Sequence, residues 1–336
     1  MPAQQGGQTT TASEVIFPLA GRRVWVAGHK GMVGSALTRR LAENDVEVVT
    51  VSRDDLDLRD SEATLRWVKD VAPEMIFVAA GRVGGIEANS RFPADFIADN
   101  MAINMSVISA AVRTEVPKLM VLGSSCIYPK HAEQPMRENS LLTGPIEPTN
   151  VWYAIAKISA LKLAEAYRIQ YGHDFISAMP TNLYGLNDNF DEGRGHVIPA
   201  LMSKARHAVE SKAEVLEVWG SGSPLREFLH VDDCADALVY LAERYSAAET
   251  VNVGSGLEIS IREIAEKICA TAGFGGELRF DPTRPDGAPR KLVDSSRVRA
   301  MGWAPRVGFD DGLRSTYEWF LGAHPGKQKG TVDHVG

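Results

Sequence analysis

Residues 22–34 read Arg22-Arg23-Val24-Trp25-Val26-Ala27-Gly28-His29-Lys30-Gly31-Met32-Val33-Gly34. A short apolar run breaks into glycines at the first, fourth and seventh places of GxxGxxG, and a helical pattern opens directly behind them. Each glycine has its own task in a strand–turn–helix. Gly28 permits the tight turn, Gly31 lets the backbone approach a pyrophosphate, and Gly34 lets the new helix pack close on the strand. The helix N-terminus then offers unspent N–H donors and a positive dipole to the anion. Three glycines alone also occur in ordinary turns; their place between the first strand and the first helix is what makes a dinucleotide fingerprint.

Outward from this turn the alternation repeats. Apolar, strand-like runs at 24–27, 46–51, 75–80, 119–122 and 175–179 alternate with amphipathic stretches at 33–43, 61–71, 94–115 and 153–170. Parallel strands need long crossovers, so this order predicts an α/β fold, a Rossmann doubly wound parallel sheet with helices on both faces. Beyond 183 Gly and Pro become frequent and the elements shorten, with helices expected at 196–210, 232–243, 261–272 and 312–321 and a strand-like run at 251–254. The expected organisation is a flexible tail over 1–20, a dinucleotide-binding Rossmann domain over 21–183, and a smaller, loop-rich, mainly substrate-binding domain over 184–325. A flexible tail over 326–336 would follow. The second domain is partly interleaved with the first and sits over the carboxyl ends of the strands.

The chain has 336 residues, of which 44% are apolar and 24% charged, a globular balance that excludes fibrous and disordered classes. A net charge of −7 argues against a nucleic-acid partner. No apolar run reaches the roughly 20 residues that span a bilayer, so no membrane partner is expected. The N-terminal residues lack the basic start and apolar centre of a secretory signal. Cys126, Cys234 and Cys269 therefore read as free thiols of a cytoplasmic protein.

The dinucleotide type turns on the end of the second strand. Asp54 stands about 20 positions past the glycines, where a carboxylate would hold the ribose 2′-hydroxyl of NAD. Arg53 beside it and Lys30 in the glycine turn suit a 2′-phosphate instead, and weigh toward NADP(H). A second constellation follows the fourth strand: Ser124, then Tyr153 and Lys157 at i and i+4 on one helix face. A phenol with a pKa of about 10 is a poor acid–base at neutral pH, and a neighbouring ammonium, helped by the positive charge of a bound oxidised nicotinamide ring, is expected to lower it. The bland alternatives are a core tyrosine with a snorkelling lysine and, for Cys126, a small buried hydrophobe; the place of Tyr153 and Lys157 after a glycine turn and a strand-end serine favours function. His230, Asp232 and Asp233 read as a helix start with an acidic first turn, and no metal is expected.

The glycine turn, strand-end serine and YxxxK together resemble the extended short-chain dehydrogenase/reductases. Within them GHKGMVGSA, GGIEAN, LGSSCIYPK, EPTN, YAIAK, MPTNLYG, NDNF, HVIPAL, VWGSG, REFLHVDD, NVGSG and PDGAPRKLVD resemble the GDP-L-fucose synthases. The resemblance implies conversion of GDP-4-dehydro-6-deoxy-D-mannose to GDP-L-fucose with NADPH. Ser124, Tyr153 and Lys157 would serve the C4 reduction, while Cys126 and His196 would move protons at C3 and C5. Cofactor contacts would come from 28–34 (Gly28, His29, Lys30, Gly31, Met32, Val33, Gly34) and from Arg53, Asp57 and Leu58. Leu122, Gly123, Pro180, Thr181, Asn182, Leu183 and His196 would complete that set. Lys204, Trp219, Arg226 and Asp286 would hold the GDP-sugar. The family also implies a homodimer through a four-helix bundle, here from 94–115 and 153–170. The chain departs from the family pattern at Lys30, at Gly81-Arg82 and across 191–195. A related GDP-4-keto-dideoxy sugar as substrate, or a non-catalytic NADP(H)-sensing regulator, stays open on sequence.

Overall fold

The computed structural model describes residues 13–191, 195–284 and 286–323, with the backbone alone for Ile86 and Glu87. In chain order the first half runs β1 (Arg23–Ala27), α1 (Met32–Ala42), β2 (Glu47–Val49), α2 (Ser61–Val71), β3 (Met75–Val78), α3 (Ile86–Arg91), α4 (Pro93–Arg113), β4 (Lys118–Leu122), α5 (Val151–Tyr171) and β5 (Asp174–Pro180). The second half runs β6 (Asn182–Tyr184), α6 (Val197–Ser211), β7 (Val215–Trp219), β8 (Leu225–His230), α7 (Val231–Arg244) and β9 (Val251–Val253). It continues with β10 (Glu258–Ser260), α8 (Ile261–Ala272), β11 (Glu277–Asp281), β12 (Arg290–Lys291), α9 (Ser296–Ala300) and α10 (Phe309–Ala323).

Six strands form one parallel sheet in the order β2-β1-β3-β4-β5-β9. Strand alternation sorts its side chains to two faces. Val24, Val26, Met75, Phe77, Met120 and Leu122 enter one core with α1 and α7. Trp25, Ala27, Ile76, Val78, Leu119 and Val121 enter the other, under α2, α4 and α5. Both faces are therefore covered, which is why these strands read as unbroken apolar runs.

The later half divides between this sheet and a second unit. The helix α7 and strand β9 join the Rossmann layers. A third core gathers α6, α8 and α10 around β7, β8 and β11. Strands β6, β8, β10 and β12 make a small sheet, and β7 pairs with β11. Asn182–Tyr184 already belongs to that small sheet, so the chain changes unit at Thr181, just ahead of the expected limit at 183. The expected helix over 94–115 has a separate turn, α3, before it, because Pro93 opens α4.

Residues 13–20, expected as part of a loose tail, are tied down. The Ser13 amide donates to Met301 O, those of Ile16 and Phe17 donate to Glu243 O, and Leu19 is buried. Residues 1–12 and the expected tail over 326–336 lie outside the described residues.

At the glycine turn packing leaves no slack. A Cβ on Gly34 would meet Gly28 O at 2.1 Å, whereas one on Gly275 would meet nothing within 4 Å. Gly34→Ala is expected to destabilise the protein by about 1–3 kcal/mol or more, since α1 must back away from β1. Gly275→Ala is expected to stay within about 0.5 kcal/mol of wild type. Chemical denaturation midpoints at unchanged slope test both; equal midpoints would refute the close-packing argument.

Candidate active site

The order of the sheet reverses between β1 and β3, and the turn after β1 stands at that switch point. Gly28 has φ +90, and a Cβ there would sit 2.6 Å from Ala80 Cα on the neighbouring β3 side. Gly31 differs: a Cβ would meet only Gly28 O, at 3.5 Å, so its outer side is open. It begins α1 with no side-chain cap and no acidic residue in the first turn. The first N–H groups of α1 thus keep their hydrogen-bonding capacity for an anion. His29, Met32 and Val33 are half-buried around this cradle, and Lys30 is exposed at its rim. The turn fits a dinucleotide pyrophosphate.

At the end of β2, Arg53 and Asp54 are exposed and make no hydrogen bond or ion pair among the described residues. Asp57 is committed elsewhere. The Arg59 guanidinium grips its carboxylate at 2.6 Å, and this fork pulls the Asp57 pKa down to about 2. Arg59 also bonds Asp99 at 3.0 Å, and Arg82 reaches Asp99 at 2.9 Å and Asp95 at 3.0 Å. Leu58 packs against the core beneath.

Beyond β4 the chain makes one tight turn, Ser125–Ile127, and places Ser124 Oγ 3.1 Å from Cys126 Sγ. Asn150 Nδ2 donates to Cys126 O at 3.1 Å, and α5 starts at the next residue. Lys157 Nζ donates to Leu122 O at 2.9 Å and lies 5.9 Å from the centre of the Tyr153 ring. Both side chains are buried. Gly123 is also buried, with Met179 Sδ close against its α-carbon.

The electrostatics correct one expectation. Burial, followed by the charge of Cys126, pushes the Tyr153 phenol well above its usual pKa rather than lowering it. Burial also brings Lys157 down to about 8. In the ligand-free protein Tyr153 is a neutral phenol, the state of a proton donor.

His196 is the N-cap of α6. Its side chain makes no capping hydrogen bond; it keeps open surface while packed protein around it desolvates the imidazole and lowers its pKa. Lys204, two turns along α6, lies 5.3 Å over the Trp219 ring, with Arg284 at 4.9 Å. Trp219 is 62% exposed, a free aromatic wall between two cations. Arg226 Nη1 donates to Ala288 O at 2.6 Å, and burial lowers its pKa. Asp286 is exposed; its carboxylate accepts Ser221 N at 2.9 Å and Ser221 Oγ at 2.7 Å, fixing the turn after Trp219, and its charge acts on Arg226. Pro180 and Thr181 are buried, Leu183 is half-buried, and Asn182 Nδ2 donates to Glu227 O at 2.9 Å. His230 caps α7, its Nδ1 accepting the Asp232 amide at 3.3 Å.

Sequence reasoning missed Lys291. The two-residue strand β12 sets it opposite Arg226 on β8. Burial lowers its pKa, while the charges of Cys126 and Glu147 raise it and that of Arg226 lowers it. Two residues carry no periodicity, so only the pairing of the strands reveals this second cation.

Lys157 gives a pH test. Its folded pKa of about 8 lies below the ordinary 10.5, so the burial penalty is full below pH 8 and fades as pH rises toward 10.5. Lys157→Met removes that penalty together with the Leu122 hydrogen bond, so its stability relative to wild type is expected to fall by up to about 3 kcal/mol as pH rises from 8 to 10.5, while dinucleotide binding weakens about tenfold or more. Thermal unfolding against pH and a fluorescence titration measure the two effects; a pH-independent stability difference would contradict the assignment.

The family model of the NAD dependent epimerase/dehydratase family matches residues 24–254. A GDP-L-fucose synthase of Sinorhizobium fredii is 52% identical over 306 residues, covering 91% of this chain and 98% of that protein. A GDP-L-fucose synthase of Escherichia coli strain K12 is 48% identical over 310 residues, covering 89% and 97%. A solved GDP-L-fucose synthetase from Naegleria fowleri bound to NADP superposes with a TM-score of 0.84 at 28% identity, over 93% of this chain and 98% of that one. On this evidence the chain belongs to the NAD dependent epimerase/dehydratase family, in the branch that holds these GDP-L-fucose synthases.

Proposed function

We propose that this chain converts GDP-4-dehydro-6-deoxy-D-mannose to GDP-L-fucose, epimerising C3 and C5 and then reducing C4. The observation that carries the reading is the Ser124–Cys126 contact of 3.1 Å beside Tyr153 and Lys157. It sets a proton-transfer group within the same few ångströms as a carbonyl-holding pair. A ketone at C4 acidifies the hydrogens on C3 and C5. Ser124 and Tyr153 hydroxyls donate to the C4 oxygen and stabilise the negative charge that develops there. Cys126 removes the proton at each centre, and His196 returns one on the opposite face, which inverts the configuration. Tyr153, a neutral phenol in its buried setting, then gives its proton to the C4 oxygen.

The glycine turn, Lys30 and Arg53 would hold NADP(H), and Lys157 would bind its ribose. When bound, NADPH supplies the hydride to C4. The nucleotide diphosphate meets Arg226 and Lys291, and Trp219 walls the guanosine side. Three free cysteines suit a reducing, cytoplasmic setting; among the described residues no helix is long and apolar enough to cross a membrane.

A homodimer is part of the same reading. On α4 and α5 the exposed apolar residues include Met101, Met105, Trp152, Ile155 and Ile169, more than scattered surface residues would give. Two such helix pairs would close a four-helix bundle. Light scattering is expected to give twice 36.5 kDa, and the double variant Met105→Glu, Ile155→Glu to give a monomer; a monomeric wild type would sink the dimer.

Activity is tested by NADPH absorbance on adding GDP-4-dehydro-6-deoxy-D-mannose, with the product sugar identified by NMR. Tyr153→Phe is expected to lower turnover about 10²–10⁴-fold. Cys126→Ser is expected to lose epimerisation while still binding NADPH. NADPH that is bound but never consumed would overturn the proposed reaction.

A further inference from the structure

Glu227 lies on β8 with no exposed surface, and the chemistry above does not use it. Successive side chains on a strand alternate faces, so Glu227 points away from the side on which its neighbour Arg226 stands. Oε2 accepts the Val293 amide at 3.0 Å, and Oε1 accepts the Gly256 amide at 2.7 Å. The Thr181 hydroxyl lies near the carboxylate and favours its charged form. The fit is tight: a Cβ on Gly254 would meet Oε1 at 2.4 Å. The positive charge nearby is Arg299, whose guanidinium also donates to Ser255 O in the same loop.

One carboxylate thus joins four stretches of chain. These are β8 itself, the link from β5 to β6 at Thr181, the loop over 254–256, and Val293 just past β12. Two of them are walls of the site. Thr181 and Asn182 stand on the cofactor side, and Asn182 Nδ2 also donates to the Glu227 carbonyl. Val293 follows Lys291 by two residues, and Lys291 is the register partner of Arg226. A buried charge is tolerated only where donors surround it, so this one constrains all of its donors at once.

We infer that Glu227 is a positioning residue that clamps the cofactor wall at Thr181 and Asn182 to the Arg226–Lys291 strand pair, holding the two halves of the site at one separation. The inference rests on the GDP-sugar reading given above. Glutamine at this place would turn its amide N–H₂ toward the backbone N–H of either Val293 or Gly256, and donor would face donor.

The test uses the full chain as wild type, Glu227→Gln, Glu227→Ala and Thr181→Val. GDP binding is read by calorimetry, NADPH binding by fluorescence, and kcat and KM with the GDP-4-keto sugar. Glu227→Gln is expected to weaken GDP binding and raise the sugar-nucleotide KM about tenfold, the size of one lost charge-assisted hydrogen bond. Its kcat should fall as well. Thr181→Val cuts the cofactor arm alone, so it is expected to lower kcat with GDP binding within about twofold of wild type. A merely structural glutamate would lower thermal stability and the active fraction while leaving GDP affinity and KM unchanged. That result in Glu227→Gln overturns the inference, and this variant decides the matter if Glu227→Ala fails to fold. A wild type that binds no GDP overturns the GDP-sugar reading and the clamp together; a wild type that binds GDP no better than Glu227→Gln overturns the clamp alone.

Discussion

Lys157 Nζ donates to the carbonyl of Leu122, 2.9 Å away, where both residues are buried. That carbonyl ends β4, so the bond pins the first turns of α5 to the edge of the sheet. Tyr153, one turn earlier on the same face, is placed by it. Ser124 and Cys126 follow Leu122 in the chain and turn back toward that phenol. Without the bond α5 could slide along the sheet, and the serine, thiol and phenol would lose their common target. A hydrogen bond to a buried charged group is worth more than a neutral one, and leaving either partner unmet costs the full desolvation of that group. The lysine is therefore both a chemical group and a fastener.

Burial lowers the proton affinity of Lys157, Arg226 and Lys291, as it does that of Lys118, which is paired with Asp174 at the start of β4. In each case desolvation is the largest cause. The carboxylates near Arg226 and Lys291, Asp286 and Glu147, offset their burial only in part, which suits anions brought in from outside. A diphosphate at Arg226 and Lys291 and a developing oxyanion near Tyr153 would each offset that desolvation. The ligand-free protein is correspondingly strained in its electrostatics, and charge that arrives or develops during the reaction meets donors already in place.

The sequence makes the Rossmann half legible because its signals are long and repeated. The runs at 24–27, 75–80 and 119–122 become β1, β3 and β4, and the helix over 61–71 coincides with α2. The glycine turn is legible because its backbone tasks demand glycine, as Gly28 at φ +90 and the contact of Gly34 with Gly28 both show. Charge pairing is a different matter. That Arg59 folds back on Asp57 and also reaches Asp99 is visible only in the fold. The bonds from the Ser221 turn to Asp286 join residues 65 apart, which no local spacing announces. The pKa of Tyr153 depends on how much protein surrounds it, a quantity that i, i+4 spacing does not contain.

The same reason explains why the substrate half resists reading. Strands β6, β10 and β12 have three, three and two residues. Hydrophobic alternation needs at least four or five positions to show a face. Such short strands bury few side chains each, Tyr184 and Ile259 among them, and polar bonds to a buried anchor add to that hold; an anchor such as Glu227 carries no periodic mark. What can be read in advance is its neighbourhood: a charged residue next to another in REFLHVDD, on a strand with apolar residues beyond it. On such a strand the alternation of faces requires one charge to point inward. An inward carboxylate without donors would unfold the strand, so its presence requires that other chain segments converge on it. The convergence of Thr181, Gly256 and Val293 on Glu227 is what that requirement produces.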